Sequence, residues 1–192
     1  MDKQALIGQL IDQMGDCHRC DLCQHRRHIV FGRGNPQARL MLIGEGPGAE
    51  EDQQGFPFVG KAGQLLDKII AAADLPQGDI YICNVVKCRP PGNRLPTPEE
   101  TIACKPFLRE QIRIIQPKII VCLGSLASQI VLNDGAFRIT RGRGVWVNRG
   151  RFPIMPTFHP AALLRDQSKK RPVWEDFLQV SAKYQRITNL DR

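Results

Sequence analysis

Short apolar segments rich in β-branched residues alternate with longer segments of helical periodicity along most of this chain. The apolar segments predict four buried strands, at Arg39–Ile43, Ile80–Val86, Lys118–Leu123 and Phe152–Phe158. Helical patterns lie between and after these strands, at Ala62–Ala73, Pro98–Ile115, Ser125–Leu132 and Val173–Arg186. This alternation predicts an α/β fold whose mainly parallel sheet is covered by helices on both faces.

The 192 residues contain no internal repeat and no flexible linker, so we expect one domain over residues 1–192, with a frayed polar tail from about residue 188. Residues 1–16 predict an amphipathic helix and lack the basic start and apolar core of a signal peptide. No apolar run is long enough to span a membrane. A cytoplasmic location follows, where seven cysteines favour metal or cluster ligation over disulfides.

The net charge of +8 favours a polyanionic partner such as nucleic acid, although a merely basic protein would have the same charge. The basic residues cluster in four segments, namely residues 26–27, 89–94, 138–151 and 165–171. Most of these segments are predicted loops, where contacts with ligands concentrate. The distribution therefore strengthens the expectation of a nucleic-acid partner.

Cysteines occur in two widely separated pairs, Cys17 with Cys20 and Cys88 with Cys104. Four thiolates suffice for a tetrahedral zinc or an iron–sulfur cluster, and Cys23 offers a second, overlapping pair with Cys20. Cys104 lies early in a predicted helix that Thr97-Pro98-Glu99-Glu100 begins with a capping box. Its helical spacing also allows a small apolar core cysteine at this position.

Three polar side chains lie within, at the end of or just after predicted strands, and we expect them to gather at one edge of the parallel sheet, where ligands bind. Glu45 lies between two glycines in Gly44–Gly48, a segment that would otherwise be read as a tight turn. Asn84 lies within an apolar strand and needs partners for its amide, which suits the imide edge of a base. His159 ends the last strand, where it is either structural or placed for acid–base or electrophilic chemistry.

Two further features flank these residues. Phe58, in a loop between Pro57 and Gly60, is either core filler or a platform on which a planar base stacks. The alternation of side chains along a strand directs Cys83 and Asn84 to opposite faces, so Cys83 is expected to be a packing residue.

Together these segments resemble the family 4 uracil-DNA glycosylases, the iron–sulfur branch of the uracil-DNA glycosylase superfamily. The matching stretches are Cys17/Cys20, Phe31–Pro36, Gly44–Gly48, Gly55–Gly63, Tyr81–Pro91, the capped helix through Cys104, and Thr157–Arg165. The resemblance implies a three-layer α/β/α fold with a central four-stranded parallel sheet and an N-terminal helix tied down by a cluster. It also implies a structural 4Fe–4S cluster on Cys17, Cys20, Cys88 and Cys104, with Cys23 as the alternative ligand.

The resemblance further implies that the enzyme flips uracil out of DNA and hydrolyses its N-glycosidic bond. Phe58 would stack on the base, Asn84 would read it, and His159 would donate to its O2. The backbone of Glu45, Gly46 and Pro47 would complete the contacts. Because a covalent branch of the superfamily carries a His-containing insertion that this chain lacks, no covalent adduct is expected.

Other roles follow less directly. Glu45 would orient the attacking water or offset the sugar cation, and Glu51 would exclude thymine, although Glu50 and Asp52 could equally be surface carboxylates. Arg89, Arg94 and Arg165 would contact phosphates or fill the gap left by the flipped base. A monomer acting on uracil-containing DNA, single- or double-stranded, is expected, and a polymerase-clamp partner is not readable. The competing interpretations are a non-catalytic DNA-binding domain related to phage DNA polymerase and a zinc-ribbon protein.

Overall fold

A computed structural model describes residues 2–150 and 152–190 of the chain. In that part the strands are β1 Arg33–Gly34, β2 Leu40–Gly44, β3 Ile80–Asn84, β4 Ile119–Leu123, β5 Val147–Arg149 and β6 Phe152–Thr157. The sheet order is β1-β3-β2-β4-β6-β5. The four long strands are parallel and form the centre of the sheet.

The four predicted strands are therefore confirmed, but the sheet has six strands in the described residues instead of four. The short edge strands β1 and β5 pair antiparallel with β3 and β6. Two or three residues are too few to show the alternation by which a strand is predicted, and this is why both were missed.

Helices cover the sheet on both faces. They are α1 Lys3–Met14, α2 Ala49–Gln54, α3 Lys61–Ala72, α4 Pro98–Ile115, α5 Ser125–Leu132, α6 Ile139–Gly142, α7 Pro160–Arg165 and α8 Lys170–Leu190, with short 3-10 turns at Asp21–Gln24, Gln77–Asp79, Pro91–Asn93 and Gln167–Lys169. The capping box predicted for α4 is present, since Thr97 accepts from the backbone N–H of Glu100 and Glu100 accepts from that of Thr97.

Alternate residues of each central strand enter two separate cores, one on each face of the sheet. Met41 and Ile43 belong to the core that α1, α4 and α5 cover. Leu40 and Leu42 belong to the core that α3 and α8 cover. This is the three-layer α/β/α arrangement implied by the resemblance.

The C-terminal end differs from the prediction. Helix α8 continues to Leu190, and the hydroxyl of Thr188 donates to the carbonyl of Tyr184 at 3.1 Å, so residues 188–190 are helical instead of frayed. Residues 191 and 192 of the expected tail, and Arg151 of the third basic segment, lie outside the described residues. None of the described helices is both long and apolar enough to cross a membrane.

Candidate functional site

A cleft of about 590 Å³ opens at the carboxyl ends of β2, β3 and β6. The predicted site residues that line it are Glu45, Gly46, Pro47, Glu51, Phe58, Asn84, Arg94, His159 and Arg165. Of the three arginines predicted to contact DNA, Arg89 does not line the cleft. The convergence follows from the topology, because parallel strands end at one edge of the sheet and each loop begins there.

The first loop, after β2, is held against the chain that follows β3. Beyond the last ladder pair, Val85 N–H donates to the carbonyl of Gly44 at 2.9 Å and Val86 N–H to that of Glu45 at 3.1 Å. These bonds extend the pairing of the two strands past their ends. They bring Glu45 beside Asn84 even though about forty residues of chain separate them.

Gly44 allows one amide and one aromatic side chain, those of Asn84 and Phe58, to approach the end of β2 closely. A Cβ at this position would lie 2.4 Å from Asn84 Oδ1 and 2.6 Å from Phe58 Cζ, distances that no real side chain tolerates. Phe58 itself has a left-handed backbone, with φ of 55°. Gly63 accommodates this turn, since a Cβ there would lie 1.9 Å from the Phe58 carbonyl oxygen.

The ring of Phe58 stacks on the imidazole of His159, with centroids 5.5 Å apart and planes inclined by 30°. Phe58 is 5% exposed, although it lines the cleft. A planar ligand in the cleft would therefore meet a fixed aromatic surface whose orientation a second ring supports.

The hydrogen bonding of His159 fixes its tautomer. Its Nδ1 accepts from the backbone N–H of Ala161 at 3.1 Å, so in the neutral ring the proton is on Nε2. Burial, aided by the positive charge of Arg165, lowers the pKa of His159 to about 4. At neutral pH the side chain is an uncharged imidazole with an N–H donor on Nε2.

Asn84 is 1% exposed, and its Oδ1 has no hydrogen-bond partner among the described residues. A buried amide oxygen without a partner costs about 1–3 kcal/mol. Because the same side chain lines the cleft, this acceptor is available to a ligand with an N–H donor. Cys83, as predicted, packs in the core on the opposite face.

Arg165 lies close enough to Glu45 across the cleft for its positive charge to act on the carboxyl group. Burial raises the pKa of the Glu45 carboxyl, and the positive charge of Arg165 opposes that rise. The pair provides a carboxylate on one wall of the cleft and an exposed guanidinium on the other.

The carboxylate of Glu51 binds three backbone N–H groups: those of Gly48 at 3.1 Å, Val59 at 3.0 Å and Gly60 at 2.8 Å. It therefore joins the loop after β2 to the loop that carries Phe58. Glu50 is exposed, as expected of a surface carboxylate, whereas Asp52 is buried. Asp52 is 3% exposed and accepts from Arg27 N–H at 2.8 Å, which anchors α2 to the N-terminal segment.

The arginines of the loop after β3 already have protein partners. Arg94 makes a two-pronged ion pair with the buried carboxylate of Glu100, at 2.7 and 2.8 Å. Arg89 Nε donates to Asn93 Oδ1 at 2.8 Å. Both arginines stiffen this wall of the cleft, and Arg165 is left as the arginine most available to a ligand.

Sequence reasoning missed other side chains of the cleft, among them Lys61, Asn93 and Leu95. Leu95 is 68% exposed on the loop after β3. Lys61, as the first residue of α3, carried a weak signal, since it follows directly on the glycine that precedes a predicted helix.

A buried acidic residue of α8 supports the end of β6. Asp176 is fully buried, forms an ion pair with Arg143 and accepts from the Thr157 hydroxyl at 2.5 Å. Thr157 is two residues before His159, so this network fixes the strand end from which His159 projects. The residues of this network are far apart in the sequence, so no local pattern predicted it.

Cys17, Cys20, Cys88 and Cys104 line one cavity between the N-terminal segment, the loop after β3 and α4. Arg26 donates to the Cys17 carbonyl at 2.7 Å and to the Cys88 sulfur at 3.5 Å. The described residues contain no set of three or more acidic, histidine or cysteine side chains grouped around one metal ion. Four thiols spread around a cavity fit a multi-atom cluster better than a single ion.

The remaining cysteines do not belong to this cavity. Cys23 lies on the 3-10 turn Asp21–Gln24 and does not line it, whereas Cys83 and Cys122 are fully buried in the core. The cavity therefore groups Cys20 with Cys17, Cys88 and Cys104 and leaves Cys23 outside.

The chain is similar to known proteins over most of its length. Residues 31–178 match the Uracil DNA glycosylase superfamily. The chain is 44% identical to the type-4 uracil-DNA glycosylase of Thermotoga maritima over 91% of this chain and 92% of that protein. It is 41% identical to the type-4 enzyme of Sulfurisphaera tokodaii over 91% of this chain and 83% of that protein, and 40% identical to that of Saccharolobus solfataricus over 94% and 86%.

The family match spans every residue that lines the cleft, together with Cys88 and Cys104, and the matches confirm the resemblance drawn from the motifs. The chain belongs to the uracil-DNA glycosylase superfamily and, within it, to the type-4 uracil-DNA glycosylases.

Proposed function

We propose that this protein is a DNA-repair glycosylase that flips uracil out of DNA and hydrolyses its N-glycosidic bond, leaving an abasic site. The observation that carries the proposal is the buried, unpartnered Oδ1 of Asn84 beside the stacked rings of Phe58 and His159. A ligand with an N–H donor on a planar ring would satisfy that oxygen and cover Phe58 at once. Uracil has both features.

Recognition of the base rests on three contacts. Phe58 stacks on the ring, Asn84 accepts from N3–H and donates to O4, and Nε2–H of His159 donates to O2. Backbone groups of Glu45, Gly46 and Pro47 supply the remaining polar contacts. Cytosine presents an unprotonated N3 to Asn84 Oδ1, so it is rejected.

Catalysis uses the same donor to O2. As the glycosidic bond breaks, negative charge moves onto the uracil ring, and a hydrogen bond to O2 strengthens as that charge develops. A neutral imidazole suits this role, since the Ala161 N–H already holds Nδ1 and directs the remaining proton into the cleft. Removal of such a donor costs on the order of 10²–10³ in rate.

The other product of bond cleavage is a cationic sugar that water must capture. Glu45 lies on the sugar side of the base, where its carboxylate orients the water and offsets the positive charge of the sugar. Arg165 favours the ionised form of Glu45, because its positive charge opposes the rise in pKa that burial of the carboxyl causes.

Selection against thymine depends on the wall near C5 of the base. Glu51 is proposed to exclude the thymine methyl group by fixing the two loops that form this wall through its three backbone bonds. Of the arginines, Arg165 contacts the DNA backbone, and Arg89 and Arg94 shape the loop that faces it.

The cysteine cavity is proposed to hold a 4Fe–4S cluster on Cys17, Cys20, Cys88 and Cys104. The cluster supplies structural cross-linking of the N-terminal segment to the loop after β3 and to α4. Glycosidic hydrolysis needs no electron, so we assign the cluster no step of the reaction. A zinc-ribbon alternative predicts a colourless protein, whereas the cluster gives a brown protein with equimolar iron and sulfide.

The substrate is proposed to be uracil-containing DNA, bound by a monomer in the cytoplasm. The alternative of a non-catalytic DNA-binding domain is not favoured, because phosphate binding needs neither a buried amide nor a histidine of fixed tautomer. The relatives that match over most of this chain and over most of their own length are named as glycosylases.

The test uses matched oligonucleotides that contain one uracil or one thymine at the same position. After incubation, alkali cleaves the DNA at any abasic site. Breaks only in the uracil strand are expected, with free uracil released in equal amount. Tight DNA binding with no breaks, by protein that contains an intact cluster, would overturn the proposal in favour of the binding domain.

A further inference from the structure

Lys87 is a fully buried lysine for which the proposed reaction has no use. Burial of an ammonium group costs several kcal/mol unless hydrogen bonds and opposite charge compensate for it. Its hydrogen bonds are clear: Nζ donates to the Asn84 carbonyl at 2.7 Å and to Gln111 Oε1 at 2.5 Å. The ring of Phe31 lies 5.9 Å from Nζ.

Opposite charge is missing from this environment. None of the ion pairs found among the described residues involves Lys87, whereas Arg26, the other buried cation beside the cysteines, pairs with Asp16. The ionisable groups that face Lys87 are cysteines, because Lys87 lines their cavity and its positive charge acts on the thiols of Cys104 and Cys83. Four thiolates around an iron–sulfur core carry a net negative charge, which would supply the missing compensation.

The same ammonium is hydrogen-bonded to the main chain of a residue that lines the base-binding cleft. Asn84 has its side chain in the cleft and its carbonyl on Lys87 Nζ. Gln111 holds the ammonium from the other side, with its own Nε2 donating to the Phe31 carbonyl at 2.9 Å and to the Tyr81 hydroxyl at 3.2 Å. Lys87 is therefore rigidly placed between the two sites.

We infer that Lys87 couples the cysteine cavity to the base-binding cleft: its buried ammonium is the counter-charge of the cluster and, at the same time, fixes the main chain of Asn84. The inference rests on the proposed function and makes Lys87 a positioning residue. Without the cluster the ammonium has no compensating charge, so it leaves its site and Asn84 loses its place in the cleft. The cluster then affects base recognition without taking part in the reaction.

The test measures two properties on cluster-loaded protein, neither of which is turnover. One is the reduction potential of the cluster, and the other is the affinity for labelled free uracil in equilibrium dialysis. Lys87→Gln removes the charge but keeps an amide donor, and Lys87→Met removes both. Lys118→Met is the matched control. Lys118 is exposed and directly precedes β4, at the amino-terminal ends of the parallel strands, whereas the cleft lies at their carboxyl ends.

Both Lys87 variants are expected to shift the potential to more negative values, because an anionic cluster that loses a nearby cation is harder to reduce. Lys87→Met should also weaken uracil binding about tenfold or more, the effect of losing a hydrogen bond from a charged donor. Lys118→Met should change neither property. An unchanged potential in both variants, or normal uracil affinity in Lys87→Met, would overturn the inference.

A third measurement covers the case in which neither variant folds. Wild-type protein is stripped of its cluster by oxidation and chelation, and its fold is checked by circular dichroism. Folded, cluster-free protein that binds uracil as tightly as the loaded form would refute the coupling; loss of binding with the fold retained supports it. Failure of the proposed function is distinguishable, because loaded wild-type protein would then neither bind uracil nor release it from DNA.

Discussion

Phe58 and His159 stack in the cleft with ring centroids 5.5 Å apart, although a hundred residues of chain separate them. Phe58 follows α2 and His159 follows β6, and the position of each ring depends on its local backbone. Phe58 has a left-handed φ, and His159 accepts from the N–H of Ala161. A base that stacks on Phe58 thus lies next to an imidazole of defined tautomer.

His159→Gln is expected to lower kcat on single-stranded uracil DNA by on the order of 10²–10³, because the developing charge on O2 loses its oriented donor. DNA affinity should stay close to wild type. Single-turnover cleavage and a binding titration separate the two effects. Equal losses in affinity and in rate would instead assign His159 to binding.

The pH dependence of stability offers a second test of His159. Its pKa is about 4 in the folded protein and 6.5 in the unfolded chain, so the unfolded state takes up more protons as pH falls from 6.5 to 4. The stability that the neutral imidazole contributes is complete above pH 6.5 and is lost across this interval. His159→Gln should flatten the fall in Tm between pH 7 and pH 4, and parallel curves for the two proteins would contradict this assignment.

Asn84→Ala is expected to separate stability from function. The alanine relieves a buried, unpartnered oxygen that costs about 1–3 kcal/mol, which offsets the lost packing, so the free energy of unfolding should change by less than about 1 kcal/mol. Uracil excision should fall on the order of 10² or more, since both base contacts are lost. Urea denaturation and excision assays measure the two, and a large loss of stability would mean that Asn84 is structural.

Gly44→Ala tests the close approach at the end of β2. Its Cβ would overlap Asn84 and Phe58, so we expect a destabilisation of about 1–3 kcal/mol together with loss of uracil binding. Gly78→Ala is the matched control, because nothing lies within 4 Å of its Cβ. Thermal unfolding and uracil dialysis compare the pair, and similar behaviour of the two variants would count against a role for Gly44.

Glu51→Ala should loosen the two loops that the carboxylate joins. We expect uracil excision to fall about tenfold or more, and the ratio of uracil to thymine excision to fall with it, because the wall near C5 is no longer fixed. Parallel assays on matched uracil and thymine oligonucleotides give the ratio. A slower enzyme with an unchanged ratio would restrict Glu51 to support of the loops.

Cys23→Ser is expected to keep the brown colour and the iron content, since Cys23 does not line the cysteine cavity. Cys104→Ser should lose both, with a lower Tm as the N-terminal segment loses its cross-link to α4. Visible absorbance and iron analysis of anaerobically purified protein measure the cluster content of each variant. Loss of colour in Cys23→Ser would mean that Cys23 is a cluster ligand in place of a neighbouring cysteine.

The sequence by itself determined the central strands, the major helices and the α4 capping box, because periodicity, burial and capping are local properties of the chain. It also brought Glu45, Asn84 and His159 to one sheet edge, since parallel strands must end there. The short strands β1 and β5 carried too few residues for any periodic signal.

Only the tertiary structure decided which polar groups are free and which already have partners. It joined Arg94 to Glu100, buried Asp52 against the N-terminal segment, bound Glu51 to three backbone amides and left Asn84 Oδ1 without a partner. It also placed Lys87 between the cysteines and Asn84. Such partnerships join residues distant in sequence, and their energies depend on burial and distance, which no local pattern encodes.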